Sequence, residues 1–191
     1  IEKVFDSELF TIFEPTAIDR RKMESIKKIR AEDNHRKKWL EDIGNKQIVF
    51  KGRGGTGKTV FMFHIAYKKS TQEEKRSLIL TYNHALITEL KRLRMILQVG
   101  ASDQGIKIDS VMSFMYKIWR KVFIDEKFSI FKYKKHIEDL AQFMKKNTDE
   151  FDACVLNLMT KFSDSFDFDH VFVDEGQDWH QSEVDILRHI Y

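Results

Sequence analysis

Residues 52–59 have types and spacing suited to holding phosphate. They read GRGGTGKT, follow an apolar run at 48–50 and precede a predicted helix. The spelling satisfies G-x-x-x-x-G-K-[ST] in the strand–turn–helix context that this motif requires. Glycines have no side chain, so an anion can approach their backbone N–H groups closely. The following helix points the positive end of its dipole at the same anion. A glycine turn without a ligand is the alternative. The residues predicted to bind nucleotide are Gly52, Arg53, Gly54, Gly55, Thr56, Gly57, Lys58 and Thr59.

A second reactive group follows the apolar run at 168–173, where an acidic turn begins with Asp174 and Glu175. A triphosphate site needs a metal ligand and a base, and a strand that ends in two acids can supply both. We therefore expect Asp174 to lie near Thr59, with both binding Mg²⁺, and Glu175 to activate water. Lys58 is expected between the β- and γ-phosphates. A solvated acidic turn is the alternative.

The segments that must position these groups are short apolar runs, typical of strands, that alternate with segments of helical periodicity. This alternation predicts an α/β fold. Asn83 is a predicted N-cap, and His64 is predicted to be packed rather than a metal ligand. Strands are predicted at 48–50, 77–81, 106–109 and 168–173. Helices are predicted at 17–42, from about 58 to 69, from 83 to about 97, at 110–123 and, as two or three helices without a strand, at 124–165.

Composition sets broad limits on the class of protein. The 191 residues are 42% hydrophobic, which is enough for one domain with a core, and the net charge of +3 tolerates a polyanion without demanding one. No apolar run reaches membrane-spanning length. The single cysteine excludes an internal disulfide and favours the reducing cytoplasm. The chain begins without Met and ends within an amphipathic pattern, so we expect a fragment of a longer protein.

Four segments carry a resemblance to a known family. GRGGTGKT, LTYNHAL, DSVMSF and VFVDEGQDW occur in this order, with a helical stretch before the last. The combination resembles the first RecA-like domain of superfamily 1 helicases of the UvrD/Rep type, over most of residues 47–190. It implies a P-loop NTPase fold, with a RecA-like parallel sheet flanked by helices. The implied divisions are a lead-in at 1–46, an ATP-binding core at 47–114 and 168–191, and a helical insertion at 115–167 before the acidic motif.

The resemblance also implies an activity, which is Mg-ATP hydrolysis coupled to movement on single-stranded nucleic acid, with DNA favoured. Lys58 and Glu175 would be catalytic, and Gln177 would sense the γ-phosphate. Tyr82 could stack on a base, and ordinary packing is the alternative. The residues implied to contact nucleic acid are Tyr82, Asn83, Ser113 and Phe114.

Several positions depart from the family pattern. Gly176 replaces the usual Ala of DEAQD, Ser110 and Met112 stand where Thr and His are common, and residues 20–29 hold no adenine-reading Gln. The family's second RecA-like domain supplies arginines from beyond residue 191, and an arginine finger contributes about 10³–10⁵ in rate. We therefore expect the chain alone to bind nucleotide and hydrolyse it slowly. A protein partner could contact the insertion, and no membrane is implied. The alternative function is a nucleotide-dependent switch that does not unwind.

Overall fold

In a computed structural model of this protein, three parallel strands form a sheet within the part of the chain that the structure describes. They are β1 (Ser77–Thr81), β2 (Ile106–Ser110) and β3 (His170–Val173), arranged in the order β2-β1-β3. The structure describes residues 17, 18, 20, 21, 24, 57–97, 99, 105–124 and 126–191. The predicted strand at 48–50, most of the predicted helix at 17–42 and residues 52–56 of the phosphate motif lie outside the described residues.

Helices flank this sheet, as the α/β prediction requires. Besides the helical residues 17, 18, 20, 21 and 24, the described residues form two helices before β2, four between β2 and β3, and one after β3. The helices are α1 (Lys58–Gln72), α2 (His84–Ile96), α3 (Val111–Val122), α4 (Tyr133–Lys146), α5 (Thr148–Lys161), α6 (Ser163–Phe166) and α7 (Gln181–Ile190), with short 3-10 turns at Ile130–Lys132 and Gly176–Asp178. Within the described residues 105–124 and 126–169, no strand follows β2, which agrees with the predicted helical stretch.

The carboxyl ends of the strands meet at one edge of the sheet. Thr81, the last residue of β1, pairs in register with Ser110 of β2, and Leu80 pairs with Val173 of β3. The backbone N–H of Asp174 then donates to the Leu80 carbonyl at 3.0 Å. Residues that follow β1 and β3 therefore begin side by side, at the edge where open α/β sheets bind ligands.

Side-chain caps start the two helices that leave this edge. The Asn83 side chain accepts from the Leu86 N–H at 3.1 Å, which confirms the predicted N-cap of α2. Ser110 caps α3 in the same way, accepting from the Ser113 N–H at 3.1 Å. Each cap satisfies a backbone donor that the first helical turn leaves unpaired. The turns from strand to helix are thereby fixed at the point where ligand-binding residues are expected.

Apolar side chains cover the sheet on both faces. One cluster joins α1 and α2 to the sheet through residues such as Phe63, Leu90 and Ile79. The other joins α3, α4, α5 and α7 to β1, where Leu78 and Leu80 are fully buried. The helical stretch predicted as an insertion thus shares one continuous core with β1 and α7.

Some predicted boundaries differ from those observed. Helix α1 continues to Gln72 rather than ending at residue 69, and Glu74, with φ of 54°, turns the chain away after it. Strand β3 begins at His170 rather than at residue 168. The reason is that the Asp169 carboxylate accepts from the Arg76 N–H at 2.8 Å, and Phe168 lies 5.1 Å from the Arg76 guanidinium, so both residues are engaged before the ladder starts.

Candidate functional site

A hydrogen bond joins the start of α1 to the end of β3. The Thr59 hydroxyl donates to Oδ1 of Asp174 at 3.0 Å, and the two residues are 115 positions apart in sequence. The Asp174 side chain is buried, whereas Thr59 is half-buried. The chain thus brings together the two residues for which proximity was predicted. Their roles toward a metal remain predictions.

A second hydroxyl, from Thr81, reaches the same carboxylate. The Thr81 Oγ1 lies 3.4 Å from Oδ2 of Asp174, and it also accepts from the Asn83 N–H at 3.1 Å. Thr81 is the last residue of β1 and is only 1% exposed. Sequence reasoning missed this residue, although its place at a strand end beside the predicted ligand edge was a usable signal. Each carboxylate oxygen of Asp174 therefore faces one threonine hydroxyl.

The backbone conformation of Gly57 explains why the phosphate motif has a glycine at this position. It precedes α1 with φ of 79°, in the left-handed region, where a side chain is disfavoured. Its carbonyl accepts from the Phe61 N–H at 2.9 Å, so the helix begins directly after this turn. Lys58 and Thr59 consequently lie in the first turn, where the helix dipole favours an anion. Gly52, Arg53, Gly54, Gly55 and Thr56 lie outside the described residues.

Glu175 and Gln177 form a pair on the exposed turn after Asp174. The Gln177 amide donates to Oε2 of Glu175. Glu175 has φ of 50° and ψ of 45°, an unusual left-handed conformation for a residue with a side chain. The expected base and the expected phosphate sensor are therefore in direct contact with each other.

The oxygen atoms at this edge suit magnesium. Mg²⁺ takes oxygen ligands and is held by one or two carboxylates together with waters and substrate phosphates. Thr59 and Asp174 offer a hydroxyl and a carboxylate within one hydrogen-bond length of each other. Among the described residues, no cluster of three or more His, Cys, Asp or Glu could hold a metal by itself. A cation here would depend on phosphate or water for its remaining ligands.

Tyr82, predicted to stack on a base, is engaged by the protein at both its hydroxyl and its ring. Its hydroxyl donates to Oε1 of Glu183, and its ring meets Trp179 edge-on at a centroid distance of 6.2 Å. Burial, followed by the hydrogen bond to Glu183, raises the pKa of Tyr82. The side chain keeps partial exposure, but the contacts observed match the alternative of packing at the strand end.

The other predicted nucleic-acid residues differ in exposure. Asn83 is exposed, although its side chain is used as the α2 cap, and Ser113 is half-buried behind the Ser110 cap. Phe114 is 1% exposed, and its ring packs 5.6 Å from that of Phe166. The apolar ring of Phe114 is therefore part of the core, and its contact with nucleic acid stays a prediction.

His64 is packed, as predicted, on the buried side of α1. It is 1% exposed, and within the described part of the chain neither ring nitrogen has a hydrogen-bond partner. Burial, with a smaller contribution from Lys68, lowers the pKa of His64 to about 4. The imidazole is therefore neutral at pH 7, and its location outside the edge gives it no part in the candidate site.

Comparisons with protein-family models, with curated proteins and with solved structures gave no match to this chain. Within the described ranges, no helix has the length and apolar character needed to cross a membrane. The α/β fold and its small parallel sheet are thus established by the structure itself, and function must be inferred from the edge where Thr59 meets Asp174.

Proposed function

We propose that this chain is an ATP-binding motor domain of the UvrD-like superfamily 1 helicase or translocase type, which couples Mg-ATP hydrolysis to movement on single-stranded nucleic acid. The observation that supports this most is the hydrogen bond between Thr59 and Asp174. It joins the last residue of a GxxxxGKT motif to the first acid of a DEGQD motif, and these are the two halves of a nucleotide hydrolysis site.

Each residue at this edge has a role in the proposal. Lys58 pairs with the phosphate oxygens, and Thr59 with Asp174 holds Mg²⁺. A cation held by Thr59 and Asp174 would offset the charge that develops on the phosphate oxygens. Glu175 accepts a proton from the attacking water, and its contact with Gln177 keeps the carboxylate beside the residue proposed to read the γ-phosphate. Thr81 holds the second oxygen of Asp174.

The domain alone is proposed to be a poor catalyst. In the resembled family, arginines from a second RecA-like domain complete the hydrolysis site, and such a residue contributes about 10³–10⁵ in rate. Translocation also requires two such domains that close around nucleotide. The proposal therefore assigns nucleotide binding to this chain and fast turnover to its combination with a second domain.

A fluorescent ATP analogue tests the nucleotide site directly. Replacing Lys58 with Ala removes a charged donor to phosphate, which corresponds to about a 10- to 100-fold loss of affinity. Lys91, exposed on α2, provides the matched control when changed to Ala. The measurement is a binding titration by anisotropy. Equal affinity in the Lys58→Ala variant and the unmodified chain would exclude the proposed site.

A nucleotide-dependent switch that does not move along nucleic acid is the second candidate. It is favoured by the burial of Phe114 and by the hydrogen bond of Tyr82 to Glu183, since both residues were expected to contact a strand. Titration of a labelled single-stranded oligonucleotide, with and without ATP analogue, separates the candidates. Nucleotide-sensitive strand binding supports the motor, whereas nucleotide binding without strand affinity supports the switch.

A further inference from the structure

Glu183 is a buried carboxylate on which three parts of the fold converge. Its side chain is fully buried, in the first turn of α7. Oε1 accepts from the hydroxyls of Tyr82 and, at 2.5 Å, of Tyr133, while Oε2 accepts from the His180 N–H at 2.9 Å. A buried carboxylate is tolerated when donors of this kind replace its lost water. The three donors therefore account for how Glu183 can remain in the interior.

The donors come from different elements, and this distinguishes Glu183 from an ordinary helix cap. At many exposed helix starts, a glutamate at the third helical position accepts a hydrogen bond from the N-cap N–H, as Glu183 does from His180. Such a contact needs neither burial nor partners from elsewhere. Tyr82 comes from the end of β1, and Tyr133 is the first residue of α4. Glu183 thus ties α7 to the ligand edge of the sheet and to the helices between β2 and β3.

The chain between Asp174 and Glu183 is held at two places. At one end, the carboxylate of Asp174 meets Thr59 and Thr81. At the other, Glu183 accepts from His180, and the Trp179 ring, 8% exposed, packs edge-on against Tyr82. The exposed turn with Glu175 and Gln177 spans these two attachments.

The conformation of Glu175 indicates why both attachments matter. Its φ of 50° is unfavourable for a residue with a β-carbon, and such conformations persist only where the surroundings determine the backbone on both sides. Asp174 fixes the incoming chain, and the Glu183 network fixes the outgoing chain. Release of either side would let Glu175 relax toward a common conformation and would move its carboxylate.

We propose that Glu183 is a positioning residue for the Glu175–Gln177 turn, acting through His180, Trp179 and the two tyrosines. The inference rests on the proposed function, in which that turn carries the base and the phosphate sensor. Tyr133 further links the same turn to the start of α4. A partner that moved α4 would consequently change the geometry of the turn.

The test uses five variants of the whole chain. Tyr82→Phe and Tyr133→Phe each delete one donor and keep the ring, and Glu183→Gln removes the charge. Tyr116→Phe is the matched control, because the Tyr116 hydroxyl on α3 accepts from Arg120 at 3.4 Å and, among the described residues, makes no hydrogen bond to Glu183. A further control, Ile137→Val in the buried part of α4, should reproduce a modest loss of global stability without removing a hydrogen bond to Glu183.

Hydrogen exchange of the backbone amides at 175–179 is the first readout. Loss of a hydrogen bond to a charged group should speed exchange there about tenfold or more in the Phe variants at Tyr82 and Tyr133, and further in Glu183→Gln if it folds. The two controls should leave local exchange at these amides unchanged beyond their effect on global unfolding. Exchange that rises uniformly along the chain, or that is unaltered in both Phe variants, would overturn the positioning role.

Nucleotide affinity and single-turnover hydrolysis give the second readout. The phosphate loop and Lys58 are distant in sequence from the network, so affinity for the ATP analogue should stay within about twofold, while the slow single-turnover rate falls about tenfold or more in the Phe variants. Failure of the unmodified chain to bind nucleotide would reject the proposed function. Normal binding with an unchanged rate in the Phe variants would reject only the role of Glu183.

Discussion

The Thr59 hydroxyl donates to the Asp174 carboxylate across 3.0 Å, which joins the start of α1 to the end of β3. If these oxygens hold Mg²⁺, changing Thr59 to Val should leave metal-free nucleotide affinity unchanged and should abolish most of the gain that Mg²⁺ adds. We expect that gain in affinity to fall about tenfold, because the substitution removes one hydroxyl ligand. Titrations with and without Mg²⁺ measure it.

Thr88→Val is the control for this change. Thr88 lies exposed on α2, and its hydroxyl donates to the His84 carbonyl, away from the ligand edge. It should bind Mg-nucleotide like the unmodified chain. An identical Mg²⁺ gain in both valine variants would remove Thr59 from the metal site.

Glu175→Gln separates binding from chemistry. Gln can still accept the hydrogen bond from Gln177 and adopt the same backbone, but it cannot take a proton from water. We expect unchanged nucleotide affinity and a single-turnover rate lowered about 10²- to 10⁴-fold, the usual contribution of a general base. Glu126→Gln, on the exposed loop after α3, is the control. A normal rate in Glu175→Gln would contradict the assignment of the base.

Gly176→Ala should be tolerated or mildly stabilising. A β-carbon at this position would lie 3.5 Å from Cγ1 of Val173, an ordinary contact, and the backbone φ is not in the left-handed region. Alanine would restrict the unfolded chain, so the free energy of unfolding should rise by about 0.4–1 kcal/mol in urea titrations.

Gly57→Ala should have the opposite effect on stability, and it serves as the control for Gly176→Ala. Space around Gly57 is open, but its φ of 79° is unfavourable for alanine. The free energy of unfolding should fall by about 1 kcal/mol. If both substitutions had the same sign, backbone conformation would not be the controlling factor.

His64 should make stability depend on pH. Its pKa is lowered from 6.5 to about 4 by burial, so the unfolded chain binds a proton more readily than the folded chain does. Stability from the neutral imidazole is complete above pH 6.5 and declines as pH falls toward 4, by about 3 kcal/mol in total.

His64→Leu isolates this effect, because leucine has no group to protonate. Urea unfolding at pH 7 and pH 4.5 should show a smaller loss of stability in His64→Leu than in the unmodified chain, and equal or greater stability at pH 7, since both unpaired ring nitrogens are gone. Exposed His84, changed to Asn, is the control. Parallel pH profiles of His64→Leu and the unmodified chain would contradict the prediction.

Local patterns predicted much of the fold. The run SLILT and the sequence after Asn83 carry their own strand and cap signals, and both elements occur where expected. The proximity of Thr59 and Asp174 was also predictable, because the GxxxxGKT and DEGQD motifs each supply one half of a nucleotide site. These inferences succeed because each depends on periodicity or on a motif that a short segment encodes.

What the sequence could not reveal are contacts between distant side chains of ordinary type. Nothing near Glu183 distinguishes it from a solvated helical glutamate, because its burial depends on Tyr82 and Tyr133 arriving from other elements. Phe114 is a second example. The resemblance implies that it contacts nucleic acid, which stays a prediction, and only the structure shows that the apolar stripe of α3 turns this ring into the core.

The core shared by β1 and the helices from α3 to α5 has a consequence for engineering. Leu80 is covered by the same cluster as Leu140 and Phe151, so the region between β2 and β3 is not a detachable module. Excising residues 115–167 and closing the gap with a linker would expose the apolar side chains on one face of the sheet to water. Because of this exposed apolar surface, the shortened chain should aggregate rather than yield a minimal nucleotide-binding unit.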